Sequence, residues 1–516
     1  MMISRISYLK AVGRIDTGLP SSLIRPAWTG MMSTKICKAS KSLQTSASRH
    51  NILRQEHAIQ NPTETPFELV TDIPSNKPSS LVTDVRTSPD GESVTIQFHD
   101  TTFTFHSQWL HDAQVDNGPS RDAAEVYSQK LSTGRILNSS IGGHGVRTTL
   151  HVTWDDGRTT QFPATWLRVY APLIAKHHGP DAAQDPNAVK GWLKNTLTIP
   201  EISYTEIFPE NSASEISHTT ADWIYDALLH ESAAGIVKVI GLPAPVVEDE
   251  RNTVNTLVTR ILKQIFGSVF VHPRRPPDTT FNIASHHEKD VKKGLELPNY
   301  NTNRILLPHA DMSHYTHPSR IQGLYALEGK SKMTFVSCFA ALTTFREETP
   351  HLFEHLCTAP MALGRVAHFY KPSLCQATVD TAVMMQPGFP DRVKRFRWHP
   401  HLTGSLLSPY DKFTEARIAH RNFQEILLRD THQLKIVFQP GDLYIWDNFR
   451  VLHGREEVLE VPRTSVGQTV PEQVVVDRYR VLKMERLKGY IDEKWLIHMP
   501  PSQLYDLVNL VYAWET

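Results

Sequence analysis

From residue 83 onward, apolar and polar positions alternate or recur at helical spacing. Ser93-Val94-Thr95-Ile96-Gln97-Phe98 alternates, a turn follows at His99-Asp100, and Phe103-Thr104-Phe105 repeats the pattern. This predicts two half-buried antiparallel strands. Thr149-Leu150-His151-Val152-Thr153-Trp154 alternates again and runs into Asp155-Asp156-Gly157, a hairpin turn signal. Trp109-Leu110 and Trp166-Leu167 close the two halves in similar ways. Residues 83–175 therefore read as a small β-rich domain. Beyond it, helix and strand mix. Thr219-Thr220 predicts a capped helix running through Leu229, and Gly235 to Gly241 reads as a buried strand. Asn252 to Phe266 places Val254, Leu257, Ile261, Leu262 and Ile265 at helical spacing. Helices are also expected at 343–357 and 412–429, with mixed helix over 481–513. Leu434 to Phe438, the turn Gln439-Pro440-Gly441-Asp442, and Leu443 to Trp446 read as a hairpin. The pattern is mainly β with α.

At 516 residues the chain exceeds one compact domain. Residues 1–54 stand apart. They carry nine Lys and Arg against one acid, Asp16, and Ile3, Ile6 and Leu9 fall on one helical face with Arg5 off it. That is the pattern of a mitochondrial transit segment and predicts a matrix location; a basic leader without an address is the alternative. Residues 55–82, rich in Pro, Thr and Ser, read as a linker. Residues 176–199 read as a second linker, and 200–516 as the larger domain.

Composition narrows the function. Charged residues make up 21% and the formal net charge is zero, with no basic block, so nucleic acid is not an expected partner. No apolar run is long enough to span a bilayer as a helix. The four cysteines, Cys37, Cys338, Cys357 and Cys375, form no CxxC pair, which argues against a disulfide scaffold or a thiolate zinc site.

The chemistry gathers at two places. One is Pro308-His309-Ala310-Asp311-Met312; the other is Pro440-Gly441-Asp442 followed by Asp447-Asn448-Phe449-Arg450-Val451-Leu452-His453-Gly454-Arg455. In extended backbone His309 and Asp311 project to the same side, so they can grip one ion. A distant histidine, His453, completes a two-histidine, one-carboxylate set, the ligand type of non-heme Fe(II) oxygenases. By spacing alone the set is not unique. The chain has 26 histidines, His314 and His317 are rival ligands, and a plain hydrogen-bonded His309–Asp311 loop remains an alternative.

The segment from Pro440 to Arg455 resembles the end of the catalytic domain of 2-oxoglutarate-dependent dioxygenases. It is most similar to the γ-butyrobetaine and trimethyllysine dioxygenases within the taurine-dioxygenase-like family. The HxD segment and the β-rich N-terminal domain fit as well, so the resemblance covers roughly residues 85 to 485. It implies a double-stranded β-helix (jelly-roll) catalytic domain preceded by a small β-rich domain, with His309, Asp311 and His453 as iron ligands. It implies Fe(II) as cofactor, 2-oxoglutarate and O2 as cosubstrates, ascorbate as a supporting reductant, and a small-molecule substrate. Arg463, ten residues past His453, matches the family's partner for the far carboxylate of 2-oxoglutarate, where a planar guanidinium gives a bidentate contact. Arg450 and Arg455 are its rivals. A homodimer is kept as the oligomeric expectation.

The departures from the family concern metal and substrate. Relatives hold zinc in the small domain through three cysteines and a histidine. Here those positions read Gln114, Asp116, Pro119 and Arg158, so no zinc is expected. The family's aromatic cage for a trimethylammonium group is matched by Phe266, Phe270 and Tyr300, but a fourth position reads Thr469. Plain core packing is the competing reading for Phe266 and Phe270. A pair of asparagines is replaced within Trp398-His399-Pro400-His401. The expected activity is hydroxylation of a small organic substrate with release of succinate and CO2, on a substrate other than a trimethylammonium compound. A carnitine-biosynthesis hydroxylase and an inactive ligand-binding descendant are the alternatives.

Overall fold

The computed structural model describes residues 81–114, 134–178, 191–209, 216–230, 233–251, 254–271, 280–285, 299–367, 374–386, 389–458, 462–497 and 499–515. All of these fall in the second of two units, Ile73–Thr516. The expected leader lies outside the described residues, and so does the expected linker up to residue 80.

The first part of the described chain forms two antiparallel sheets. Val82–Thr87, Ser93–Phe98, Thr102–His106 and Lys176–His178 make one; Ile136–Gly142, Thr149–Trp154 and Thr159–Pro163 make the other. Alternation dictates which side chains turn inward: Val94, Ile96, Phe98, Phe103, Phe105, Leu150, Val152, Trp154 and Phe162 are all buried. Trp109 and Trp166 lie on the short helices Ser107–Asp112 and Ala164–Ile174, with rings stacked at 5.7 Å. The linker expected from residue 176 begins instead as a strand, because Lys176–His178 pairs with Thr102–Thr104.

The core of these sheets is completed from the far end of the chain. Leu504, Leu507, Val508 and Val511 of the helix Pro501–Glu515 belong to it, together with Leu487 and Trp495. The indole Nε1 of Trp166 donates to the carbonyl of Trp495 at 2.7 Å. Each such Leu or Val removed from water contributes about 1.5–3 kcal/mol, an upper estimate since an unfolded chain buries some apolar surface.

The remainder is a mixed helix and strand assembly around two further sheets. The six-stranded one runs, edge to edge, Phe281–Ser285, Arg463–Pro471, Ser319–Glu328, Leu443–Asp447, Ile236–Ile240, Glu201–Ser203. The four-stranded one runs Leu306–His309, Val451–Arg455, Ser331–Ser337, Gln433–Phe438. Between residues 281 and 471 successive strands of these two sheets change sheet, apart from the stretch 338–432, which inserts helices and smaller sheets. The inner faces meet through Leu324, Ala326, Tyr444 and Trp446 on one side and Met333, Phe335 and Phe438 on the other. Phe335 sets its ring edge-on to Trp446 at 5.5 Å.

Helices cover the outer face of the larger sheet. Leu257–Phe266 is capped by Thr256, whose hydroxyl accepts from Thr259 N–H, and ends at Gly267 with φ 84°. Its start corrects the expected Asn252. Asn255 adopts φ 56°, which no right-handed helix tolerates, and Val254 is exposed. The helix approaches so closely that a Cβ on Gly323 would stand 3.1 Å from Val258 Cγ2. Ser217, not the threonines after it, caps the helix His218–Leu229. The helix expected at 343–357 is two, Cys338–Glu348 and Phe353–Thr358, broken at Pro350. The hairpin expected at 434–446 is not one: Gln433–Phe438 and Leu443–Asp447 lie in different sheets, so the Gln439–Asp442 turn is a corner between them.

Candidate metal centre and cosubstrate pocket

The site is built on one strand pairing. Leu306–His309 lies antiparallel to Val451–Arg455 and sets His309 opposite His453. Such proximity requires Gly454, because a Cβ there would meet the Leu306 carbonyl at 2.6 Å and Pro308 N at 3.0 Å. The strand ends at His309, and Asp311 lies in the turn that follows. Met312 takes the left-handed φ of 59°, turning the chain away just after Asp311. A non-glycine residue there costs on the order of 1–2 kcal/mol, which the surrounding contacts must offset.

His309 Nε2 lies 3.4 Å from Asp311 Oδ1, and His453 Nε2 lies 3.6 Å from Asp311 Oδ2. One ligand atom from each of the three residues falls within 4.8 Å of the other two. His309 Nδ1 is 2.8 Å from the Leu307 carbonyl, which accepts its hydrogen and leaves Nε2 as the lone-pair nitrogen. Burial works against a charge on Asp311, yet the histidines around it, His309 first, then His453 and His399, hold its carboxyl well below the usual range. Burial pushes the His453 imidazole down to about 3; His309 adds to this and Asp311 opposes it. An ionised carboxylate beside a neutral imidazole is the donor set a hard-to-borderline divalent ion such as Fe(II) takes, so the residues fit the metal.

Two amides support Asp311. Gln322 Nε2 donates to Oδ2 at 2.7 Å, and Asn448 bonds the Asp311 backbone. Arg397, 3% exposed, fixes the loop that follows: it donates to the carbonyls of Ser313, Tyr315 and Thr316 at 3.0, 2.7 and 2.8 Å. His399, two residues on, packs its ring 4.6 Å from His309, and burial holds its imidazole well below the ordinary value. Of the rival ligands, His314 is buried beside Tyr315, outside the three-residue cluster, and His317 is outside it too.

The three arginines separate by their partners. Arg450 donates to the carbonyls of Leu228, His230 and Ala233. Arg455 donates to the carbonyls of Tyr300, Thr302 and Arg304 and to Ser285 Oγ. Both are consumed in holding backbone. Arg463 is different: 3% exposed, it donates through Nε to Ser331 Oγ at 3.0 Å, and among the described residues no carboxylate pairs with it. Burial lowers it to about 9, and like charge on Arg455 adds to the shift. Strand alternation puts Arg463, Ser465, Gly467 and Thr469 on the face that carries Gln322, Leu324 and Ala326. Ser331 lies on the strand whose Phe335 pairs with His453.

The expected substrate residues divide. Phe266 is not brought to the site: it packs on Tyr225 at 5.1 Å, in the core between helices and the outer face of the larger sheet. Phe270 is brought near it. Its N–H donates to the Thr469 carbonyl at 2.7 Å, and its ring meets Tyr315 edge-on at 5.8 Å. Thr469 Oγ1 in turn lies 3.6 Å from Met312 Sδ. Tyr300 contributes its carbonyl to Arg455. Sequence reasoning missed Tyr315, Gln322 and Arg397. Of the four positions expected to hold no zinc, Asp116 and Pro119 lie outside the described residues, while Arg158 Nη2 is 3.3 Å from His111 Nε2.

Comparison with known proteins places the chain among dioxygenases. A mitochondrial trimethyllysine dioxygenase from Gallus gallus is 24% identical over 382 residues, covering 71% of this chain and 80% of that protein. A γ-butyrobetaine dioxygenase from Pseudomonas sp. (strain AK-1) is 23% identical, covering 68% and 83%. Among solved structures, asparagine oxygenase in complex with Fe(II), hydroxyasparagine and succinate aligns with a TM-score of 0.38 at 13% identity, over 55% of this chain and 96% of that one. The model of the family described as taurine catabolism dioxygenase TauD, TfdA family, matches residues 208–467, half of the chain. The chain belongs to the TauD/TfdA family and is a 2-oxoglutarate-dependent non-heme iron dioxygenase.

Proposed function

We propose that this enzyme hydroxylates a small organic substrate other than a trimethylammonium compound, with His309, Asp311 and His453 holding Fe(II) and Arg463 receiving the far carboxylate of 2-oxoglutarate. On this reading the two facing sheets are a double-stranded β-helix. The observation that carries it is the pairing of a three-ligand cluster with a buried guanidinium that has no carboxylate partner among the described residues. A buried charge of that kind is costly unless an anion meets it. The bound iron, with 2-oxoglutarate and O2, supplies the oxidising power for C–H hydroxylation. The chain's part is to hold and orient: His309 and His453 offer ring nitrogens, the latter neutral, Asp311 offers an ionised oxygen, and Arg463 with Ser331 fixes the cosubstrate's far end.

The carnitine-pathway reading is supported by the names of the relatives. Against it stand Phe266 buried in the outer core, Thr469 where a ring is expected, and Trp398-His399-Pro400-His401 where paired asparagines are expected. Each missing ring weakens a trimethylammonium cage by on the order of 0.5–2 kcal/mol. The N-terminal basic segment and the mitochondrial relatives support a matrix location. The test is iron-dependent release of succinate from 2-oxoglutarate, screened over small amines, acids and amides with γ-butyrobetaine and trimethyllysine included. Efficient turnover of either of those two restores the carnitine reading. No succinate release with iron, ascorbate and any substrate would leave only an inactive ligand-binding descendant.

A further inference from the structure

Gln322 is 1% exposed, on the inner face of the strand Ser319–Glu328, directly across from Trp446 on one neighbour and Thr469 on the other. Its outward-facing neighbours Ile321 and Gly323 pack under the covering helix, which fixes the strand's facing and leaves Gln322 no route to solvent. Its Nε2 donates to Asp311 Oδ2 at 2.7 Å, and its Oε1 is buried with no hydrogen-bond donor. The amide orientation follows from chemistry, since an ionised carboxylate only accepts. A half-satisfied buried amide contributes little to folding, and an apolar residue of the same shape is often as stable there. What the side chain does make, among the described residues, is one short hydrogen bond, to Asp311.

We propose, on the reading that Asp311 is an iron ligand, that Gln322 is a positioning residue for that carboxylate. By occupying a lone pair of Oδ2 it fixes the rotation of the group and favours binding through a single oxygen. A carboxylate free to bind through both oxygens would take up a coordination position that cosubstrate or O2 needs. Hydrogen-bond partners behind a metal ligand typically change metal affinity by about 10–100-fold.

The experiment uses the full chain, as wild type, Gln322→Leu and Gln322→Met, each stripped of metal. Mn(II) is titrated in and the free ion followed by electron paramagnetic resonance, while thermal unfolding of the metal-free proteins is recorded in parallel. The expected result is a Kd for Mn(II) raised about tenfold or more in both variants. The metal-free unfolding midpoint should be unchanged or higher, a combination a merely structural glutamine would not produce. If Gln322→Leu fails to fold, the flexible Met variant carries the test. A smaller rise in Kd overturns the proposal, as does a rise accompanied by a lowered midpoint. If wild type itself binds no Mn(II), the iron-site reading fails and this inference fails with it. Equal binding by wild type and variants removes the inference alone.

Discussion

Asn448 grips Asp311 on both sides of its backbone: Oδ1 accepts from the Asp311 N–H at 3.1 Å and Nδ2 donates to the Asp311 carbonyl at 2.9 Å, across 137 residues of sequence. The same Nδ2 reaches the Ser319 carbonyl at 3.3 Å. One buried amide thus joins the HxD segment, the strand of Gln322 and the turn that leads to His453. Only an amide can both donate and accept here. Asn448→Ala should lower unfolding free energy by about 1–3 kcal/mol, read by urea denaturation, because buried backbone groups lose their partner. Asn448→Asp should do no better, since it cannot donate to the carbonyls and it places a like charge beside Asp311.

Arg463 and Arg455 should separate in function. Arg463→Ala should raise the KM for 2-oxoglutarate by roughly 30-fold or more, equivalent to the 2–5 kcal/mol lost when a buried charge pair is broken. Its unfolding free energy should change little, because its hydrogen-bond partner among the described residues is the Ser331 hydroxyl alone. Arg455→Ala should instead destabilise the fold by freeing the Tyr300, Thr302 and Arg304 carbonyls. An unchanged KM in Arg463→Ala would move the cosubstrate contact elsewhere.

Lys483 is fully buried, donates to Asp222 at 2.9 Å, pairs also with Asp226, and lies 5.3 Å from the rings of both Tyr479 and Tyr505. It binds the helix Glu472–Leu487 to His218–Leu229. Burial raises the Asp222 carboxyl in spite of Lys483. Arg486 also pairs with both carboxylates, so Lys483→Met should cost about 1–3 kcal/mol by leaving them that partly exposed cation alone. Adding Asp222→Asn to that variant should recover part of the loss, and a double-mutant cycle measures how much.

His420 predicts an acid limb of stability. Burial pushes its imidazole down to about 4, and Arg417 adds to the shift, so the folded chain holds it neutral against the Trp398 ring at 5.6 Å. An unfolded histidine titrates near 6.5, so between these values the unfolded state binds the extra proton and stability rises with pH. The contribution is complete above about 6.5 and is lost as pH falls toward 4, on the order of 3 kcal/mol in all. His420→Phe should flatten that part of the denaturation-against-pH profile. A wild-type slope retained by the variant would assign the limb to other groups.

The small domain should need no zinc. Arg158, at the position where the resemblance leads one to expect a zinc-binding histidine, turns its guanidinium to His111 at 3.3 Å, and no cysteine lies between residues 81 and 178. Elemental analysis of protein stripped at the catalytic site should find less than stoichiometric zinc; one tightly held ion per chain would contradict this.

What sequence alone reveals follows from how local each signal is. His309 and Asp311 are legible because they lie only two residues apart, although a turn after His309, not extended backbone, brings Asp311 to it. Gly454 beside His453 can be read too, once a close strand crossing is suspected. Gln322 cannot: in Arg320-Ile321-Gln322-Gly323-Leu324 it reads as an outward polar position, and only register against Trp446 and Thr469 turns it inward. Phe266 continues the apolar stripe of Ile261, Leu262 and Ile265, and periodicity does not say which face of a sheet that stripe covers. The Gln439–Asp442 turn shows the same limit. Alternation identifies both strands, but whether they pair with each other is decided by partners far along the chain.

The helix Pro501–Glu515 gives the molecule a schedule as well as a core. Trp166 waits for Trp495, 329 residues later, before its indole N–H finds a partner. At synthesis rates of about 5–20 residues per second that is a delay of roughly 15–65 s, during which the early sheets present an unfinished apolar face. Residues 487–511 thus seal sheets made much earlier in the chain, and a chain cut short before residue 501 would expose its fault in those distant sheets.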